Sequence, residues 1–529
     1  MIRRLHLVAL ATATASALGL AVLVAEPGST SQPGDAPFFG SSLPTSAPSK
    51  TKEIAPGVTL TSLELGARDA DDVWTVHVAL PATPDGPFLG KTMSIGPRQT
   101  ADRVADALRA KGFEPRVEEV LAPEWADRPA GHLGWIVRVG RWADQATAKA
   151  TLARVKAAGF TAQNRYTAQD GTDSDAPQKV HVLRVDFREF TGSVGVDFGP
   201  TLNGAERLTE LASAADAVAG VNAQWFYKGA PAGLFVQDGE VLGSATQGRA
   251  GVLLTHGGRK ADVDTYTAHV TVRSGGDTME IDGVNRIPGV IQNCGGVGGD
   301  RPTERPQHDL VCTDDSELVR FTPEWGAPPT GTGAEVVLDH TGTVTAVNMT
   351  RGAAAPAGGS TIQAIGDSAD WLLAHARVGT RLTVTQRVED SRGHQVPLTP
   401  DTTILQVGPT LVRDGRVSVN AVADGLLHEG GDRTLTYDWA IRAAPRSAIG
   451  VDERGRLMLV VVDGRQAGYS EGLGTTQTAE LMRLLGAREA LNLDGGGSSV
   501  MTTAEGGVVN RPSDATGERK LGNALLVLP

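Results

Sequence analysis

The chain has 529 residues, 40% of them hydrophobic and 21% charged, so it is long enough to bury a sizeable core and to divide into more than one domain. Its formal charge of −12 excludes general affinity for nucleic acid, which binds proteins non-specifically through basic surface that releases counterions from phosphates. An acidic balance otherwise serves solubility and points to no partner.

The amino terminus reads as an export segment, 1–25. Arg3 and Arg4 precede an apolar run from Leu5 to Ala25 interrupted by His6 and small residues. Cleaved near Ala15-Ser16-Ala17 or after Ala25, it is a signal peptide; uncleaved, it is long enough to span a bilayer as a signal anchor. In both cases the remainder lies outside the cytoplasm, secreted or at the cell envelope. Residues 26–56, rich in Pro, Ser, Thr and Gly, read as a linker, and 57–73 as a lead-in strand region.

An internal repeat follows. Trp74-Thr75-Val76-His77-Val78 and Trp135-Ile136-Val137-Arg138-Val139 each alternate like a strand. An amphipathic helix is predicted after each, over 101–111 and 146–158, ending at Gly112 and Gly159, and a further strand enters at Phe113 and Phe160. Two such β-α-β copies can bury their helices on one shared four-stranded sheet. The second copy, WIVRVGRWADQATAKATLARVKAAGFTAQNRY, resembles a SPOR domain, and the likeness extends over about 74–167. The resemblance implies binding to peptidoglycan glycan strands through an exposed sheet face. The lead-in strand and the strand at Trp74 read like the opening of the following domain, which makes the repeat an insertion near that domain's start.

From 178 to 529 the pattern is mixed. Strand-like runs at 180–187, 381–388 and 457–462 alternate with Gly, Asp and Pro turns, and the best helices are predicted at 206–219 and 476–485. That proportion predicts an α+β domain with a mixed sheet. The two cysteines of the chain, Cys294 and Cys312, lie in one polar Gly/Pro-rich stretch with only His308 between them as a further ligand. Outside the cytoplasm this reads as one disulfide closing a surface loop, worth about 3 kcal/mol, in preference to a zinc site that would lack ligands.

The chemistry concentrates after Ala443. Arg446 precedes a strand, and the run 457–462 delivers Asp463-Gly464-Arg465 at its end. A helix with Thr478 and Glu480 in its first turn follows, then a short buried strand that continues into Asp494-Gly495-Gly496-Gly497-Ser498-Ser499. Three consecutive glycines lose a great deal of backbone entropy on folding. A tight turn would need only one or two. A run of three lets N–H groups converge on an anion, or a ligand approach the main chain, while Asp494 supplies a carboxylate. No Lys-Ser/Thr follows the glycines, so this is not a P-loop, and no GxSxG elbow occurs. The remaining histidines have neither metal nor triad spacing.

With its neighbours the turn becomes specific. GVNAQWF (220–226), GPTLVRDG (408–415), AAPRSAIG (443–450), VVDGR (461–465), LGAREALNLDGGGSSVM (485–501) and VVNRPSD with GERKLGNALLV (508–527) together resemble the phosphodiester glycosidase family, whose animal member removes N-acetylglucosamine from phosphate on lysosomal enzymes. The resemblance implies a pocket of Asn222, Arg446, Arg465, Gly495, Gly496, Ser498, Asn510, Glu518 and Arg519 around the carboxylates Asp494 and Asp463. Breaking a sugar C1–O bond whose leaving group is a phosphate monoester needs little acid assistance. Binding the phosphate and stabilising positive charge at C1 carry the rate. The arginines suit the phosphate through bidentate forks. Asp494 is the carboxylate expected to attack C1 or activate water, with Asp463 or Glu480 as its partner. No cofactor is expected, although Asp494 and Asp463 could jointly hold a divalent cation. The expected substrate is a sugar-1-phosphodiester in an envelope glycopolymer. The competing class is a non-catalytic protein that uses the pocket to hold an envelope glycan.

Overall fold

The computed structural model describes residues 48–82, 92–171, 175–227, 229–243, 249–293, 311–427 and 433–529. The export segment, most of the linker and Cys294 fall outside these residues. The predicted disulfide therefore lies partly outside them too; its other cysteine, Cys312, is buried on the strand Val311–Thr313.

The run Leu457–Val462 is apolar at every position because its strand is buried on both faces. It lies inside an eight-stranded antiparallel sheet in the order Ser49–Ala55, Val58–Leu65, Gln178–Val185, Leu457–Val462, Arg446–Asp452, Ala487–Asn492, Thr410–Arg413 and Arg416–Val417. Leu457, Leu459 and Val461 join Leu183, Ile449 and Leu491 in a core shared with a second sheet. Met458, Val460 and Val462 face the opposite way, onto Ala479, Leu481 and Met482 of the helix Thr475–Leu484.

The second sheet has five strands, in the order Ser193–Asp197, Ala524–Leu528, Ala219–Asn222, Met501–Thr503 and Gly507–Val508. The glycine turn is the crossover between the two sheets, since it connects Ala487–Asn492 in the first to Met501–Thr503 in the second. The described residues of 230–406 build further small sheets, antiparallel except where Gly283–Val284 runs parallel to Leu318–Phe321. With the helix Asp367–His375 they enclose a core of their own, while Phe235, Val252, Phe321 and Leu405 join the shared core. The α+β expectation is thereby corrected to a mostly β fold with few helices. Local periodicity finds a helix readily, whereas these short strands gain their pairing partners only from distant segments.

The linker boundary also moves. Ser49–Ala55, read as linker, pairs antiparallel with Val58–Leu65 as the edge of the large sheet. Val58–Leu65 in turn pairs along its whole length with Gln178–Val185. The repeat is thus inserted between two neighbouring strands of the large sheet, although the Trp74 strand belongs to the insertion and not to its host.

The inserted domain has the expected plan. Strands Pro115–Ala122, Gly131–Trp142, Trp74–Val78 and Ala162–Tyr166 form one antiparallel sheet in that order, with helices Arg98–Ala110 and Gln145–Ala157 on one face. Val76, Val78, Val137 and Val139 point to the helices. Alternation sends Thr75, His77, Ile136, Arg138 and Arg165 to the other face, where all are buried. That face is packed against the host. Ile95, Trp125, Leu133 and Ile136 enter the host core with Tyr437, Ala440 and Ile441, and Arg165 donates to Asp438 at 2.7 Å. The expectation of an exposed sheet face is corrected accordingly, because strand alternation fixes two faces but does not reveal which one a distant segment covers. Among the described residues no helix is long and apolar enough to cross a membrane.

Candidate active site

The glycine turn is held from three sides by main-chain bonds. Leu493 N–H donates to the Ser447 carbonyl at 2.9 Å, and Gly496 N–H to the Pro445 carbonyl at 2.9 Å. Asp494 N–H donates to the Ala223 carbonyl at 2.9 Å, and Asn222 Nδ2 donates to the Asp494 carbonyl at 2.6 Å. The Asp494 carboxylate accepts from Gly495 N–H at 2.8 Å and is half-buried.

Each glycine has a separate reason for lacking a side chain. A Cβ on Gly495 would lie 3.0 Å from the Pro445 carbonyl oxygen, on the Arg446 side of the turn. On Gly496, whose φ is +63°, it would meet Arg465 Nη1 at 3.1 Å. On Gly497 it would overlap Arg519 Nη2 at 2.2 Å and Asp514 Oδ1 at 2.4 Å. Three arginines therefore lie against three consecutive glycines.

Two of these arginines lack an acidic partner. Among the described residues neither Arg446 nor Arg465 makes an ion pair. Arg446 is 1% exposed, and its guanidinium is held by neutral carbonyls. Nε donates to Leu473 at 2.7 Å, and Nη2 donates to Trp439 and to Arg442, with the guanidinium 4.9 Å from the centre of the Trp439 ring. Burial, together with the charge of Arg465, pushes the Arg446 guanidinium down to about 9. Burial, then Arg165 and Arg519, also lower that of Arg465, which sits at φ +57°, an uncommon conformation for a residue with a side chain. Arg519 differs, being paired with Asp514 through Nε at 2.8 Å and Nη2 at 3.1 Å. Buried cations without counter-charge are unfavourable, and an anion lying between them relieves that.

The remaining expected residues divide into those that hold the turn and those that lie elsewhere. Asn222 is fully buried, and its Oδ1 accepts from Ser447 Oγ at 2.7 Å and from Val500 N–H at 3.1 Å. Asn510 donates to Asp463 at 2.9 Å and to the Ser499 carbonyl at 3.1 Å. Both residues clamp main chain. Asp463 is 1% exposed and accepts, besides Asn510, the Arg511 N–H at 3.0 Å and the Tyr469 hydroxyl at 3.3 Å. Its oxygens are committed to N–H and O–H donors, which suits a strut better than a partner for Asp494 or a metal ligand. Among the described residues no cluster of three or more His, Cys, Asp or Glu is placed to hold a metal ion.

Ser498 is buried, with Oγ 3.5 Å from Arg519 Nη1. Glu518 turns away from the pocket and accepts from Thr209 N–H at 2.9 Å and Thr209 Oγ1 at 2.7 Å, at the start of the helix Leu208–Ala214. There it satisfies an otherwise orphaned donor. Glu480 is half-buried in the second turn of its helix, which begins at Thr475; the N-terminal position is served by Gln477, accepting from Gly474 N–H at 2.7 Å.

Sequence reasoning missed Trp225, Trp439, Asp438 and Arg165. Trp225 and Trp439 meet edge to face at 5.6 Å. Trp225 stood in the quoted GVNAQWF motif and could have been found there. Arg165 stood in the quoted SPOR-like stretch, whose resemblance gave no reason to place it near the glycine turn, and Trp439 and Asp438 lie in a segment with no local signature.

A family model for phosphodiester glycosidase matches residues 332–528, and one for the SPOR domain matches 93–166. The crystal structure of a Burkholderia pseudomallei K96243 protein described as exported is 32% identical, with a TM-score of 0.81 over 92% of this chain and 97% of that one. The chain belongs to the phosphodiester glycosidase family and carries a SPOR domain. A hypothetical protein from Synechocystis shares the fold at 16% identity and a TM-score of 0.51, over 91% of this chain and 75% of that one. The catalytic domain of zebrafish N-acetylglucosamine-1-phosphodiester alpha-N-acetylglucosaminidase matches at 13% identity with a TM-score of 0.31, covering 86% of this chain and 88% of that one, too loose to transfer positions. Among curated proteins none matches. The phosphodiester glycosidase match contains the glycine turn and all three arginines, while the sheet that supports them extends back to Ser49.

Proposed function

We propose that this protein is an exported enzyme that hydrolyses the C1–O bond of sugar-1-phosphodiesters in cell-envelope glycopolymers, and that its SPOR domain keeps it at peptidoglycan. The observation that carries the proposal is the placement of Arg446, Arg465 and Arg519 against Gly495, Gly496 and Gly497, directly beside Asp494.

In this reading the phosphate lies on the arginines, while C1 faces Asp494. The C1–O bond breaks with its electron pair staying on the phosphate monoester. Asp494 either forms the new bond to C1, to be displaced by water, or takes the proton from the water that does so. Arg446 and Arg465 lack a counter-charge before substrate binds and gain most as negative charge grows on the departing phosphate. The residues at hand supply these roles without a metal, so full activity is expected in the presence of a chelator. The run 1–25 supports export, and the Burkholderia protein described as exported agrees with it. With its inner sheet face covered, the SPOR domain has its helices and outer edges for contact with the wall.

The test is release of free sugar from N-acetylglucosamine-1-phosphodiesters by the full chain, with Asp494→Asn in parallel. Release by the parent and a loss of at least a thousandfold in the variant are expected. Glycan binding without release by the parent would instead make the chain a non-catalytic binder, and equal release from both would remove Asp494 from the chemistry.

A further inference from the structure

We infer that Arg165, contributed by the inserted domain, is a positioning residue for the anion-binding arginines, acting through Asp438 and the segment Thr436–Ile441. The inference rests on the proposed role of those arginines and adds to it a part of the chain outside the phosphodiester glycosidase match.

Arg446 has only carbonyl acceptors, and two of them, on Trp439 and Arg442, belong to this segment or immediately follow it. The placement of the guanidinium therefore depends on where the segment sits. The segment is a short π-helix, closed by Arg442 N–H donating to the Tyr437 carbonyl at 3.0 Å. Such a turn has poor intrinsic stability and takes its position from its surroundings.

The host helix Thr475–Leu484 packs on one side of the segment, and the inserted domain supplies polar fixtures. Arg165 Nη2 donates to Asp438 Oδ1 at 2.7 Å, and Ser94 Oγ to Asp438 Oδ2 at 2.5 Å, so both carboxylate oxygens are held from that side. Ser94 N–H donates to Thr434 Oγ1 at 3.1 Å, and Arg138 Nη2 to the Tyr437 hydroxyl at 3.3 Å. The His77 ring stacks on Tyr437 at 6.1 Å. Arg165 is the fixture that carries a full opposite charge to Asp438, from a side chain only 9% exposed. It also acts on Arg465 electrostatically, as the largest charge effect there. The ion pair Arg165–Asp438 falls on the residue next to Trp439, whose carbonyl accepts from Arg446. Another contact of the same interface provides a comparison: Asp127 accepts from the N–H groups of Ala421, Val422 and Ala423 at 2.8–2.9 Å and touches neither Asp438 nor the acceptors of Arg446.

The experiment uses the full chain and two readouts, the dissociation constant for inorganic phosphate by calorimetry and KM against kcat for a sugar-1-phosphodiester. Arg165→Ala is expected to weaken phosphate binding and raise KM about tenfold each, with kcat changing less than threefold. Arg165→Lys should recover most of the loss, and Ser94→Ala should reproduce a smaller part of it. Asp127→Asn should lower the melting temperature while leaving phosphate affinity within twofold of the parent. Parent-like phosphate affinity in both Arg165→Ala and Ser94→Ala overturns the inference, as does an equal loss in Asp127→Asn, which would mark a generic effect of loosening the interface. Should Arg165→Ala fail to fold, Arg165→Lys and Ser94→Ala decide by the same criteria. A parent that binds no phosphate refutes the anion-binding role of the arginines and this inference with it. A parent that binds phosphate, with variants that bind it equally well, refutes the inference alone.

Discussion

The side chain of Asn222, at the end of a strand in the second sheet, donates to the main-chain carbonyl of Asp494, at the end of a strand in the first, across 2.6 Å. The same amide accepts from Ser447 and Val500, so one buried residue fixes the height of the candidate carboxylate above both sheets. Asn222→Ala leaves a carbonyl, a hydroxyl and an N–H group to find new partners. The expected cost is about 2–3 kcal/mol of stability, read from urea melts, with a fall in kcat that exceeds any change in KM. An unchanged kcat would separate Asn222 from the placement of Asp494.

The glycines should differ from one another when changed to alanine. Gly496→Ala forces a left-handed φ on a residue with a side chain, costing about 1–2 kcal/mol, and crowds Arg465. Gly497→Ala meets no such backbone penalty but displaces Arg519 and Asp514. Thermal melts should therefore register Gly496→Ala more strongly, while KM for a sugar-1-phosphodiester rises about tenfold or more in both.

Glu518→Ala provides the opposite contrast. The carboxylate caps the helix Leu208–Ala214, so its loss should cost about 1 kcal/mol of stability and leave kcat/KM within twofold of the parent. A large kinetic loss at unchanged stability would return Glu518 to the pocket.

Two buried groups should give stability opposite slopes with pH. Burial, reinforced by Arg165 and Arg138, pushes His77 down to about 3. The unfolded chain therefore takes up its proton below about 6.5 while the native one does not, and stability falls as pH drops through that window, by up to about 1.4 kcal/mol per unit. Burial pushes Asp424 up to about 7 against the Thr410 N–H bond and the charge of Arg249. Here the native state keeps the proton, so stability falls as pH rises from about 4 to 7, by up to the same amount per unit. Urea melts across pH 4–7 should show a flatter acid side in His77→Gln, and in Asp424→Asn a stability relative to the parent that improves as pH rises.

Much of the site was legible locally. The three glycines after a buried strand, the Asp494 carboxylate and the three arginines each stand in short stretches whose residue types can be read from adjacent positions. The repeat was equally legible, because helix and strand periodicities are properties of a few consecutive residues. The strand at Ser49–Ala55 was not. Its alternation is weak and mostly exposed, and its pairing with Val58–Leu65 gives it a place only as the edge of a sheet assembled from remote segments.

The sequence by itself located the glycine turn, the charged groups in its neighbouring motifs, the helices of the repeat and the helix Thr475–Leu484. It drew the helix at 206–219 too long, since only Leu208–Ala214 is helical, and it missed Asp367–His375. Only the tertiary structure decided that Gly496 and Gly497 face Arg465 and Arg519, that Asp463, Asn222 and Asn510 brace the turn, that Glu518 caps a helix, and that the inserted sheet is covered by its host. The physical reason is that side-chain chemistry and local period are written in adjacent residues. The filling of a carboxylate's lone pairs and the burial of a face depend on groups that fold in from hundreds of residues away, as Asn222 and Asp494 do.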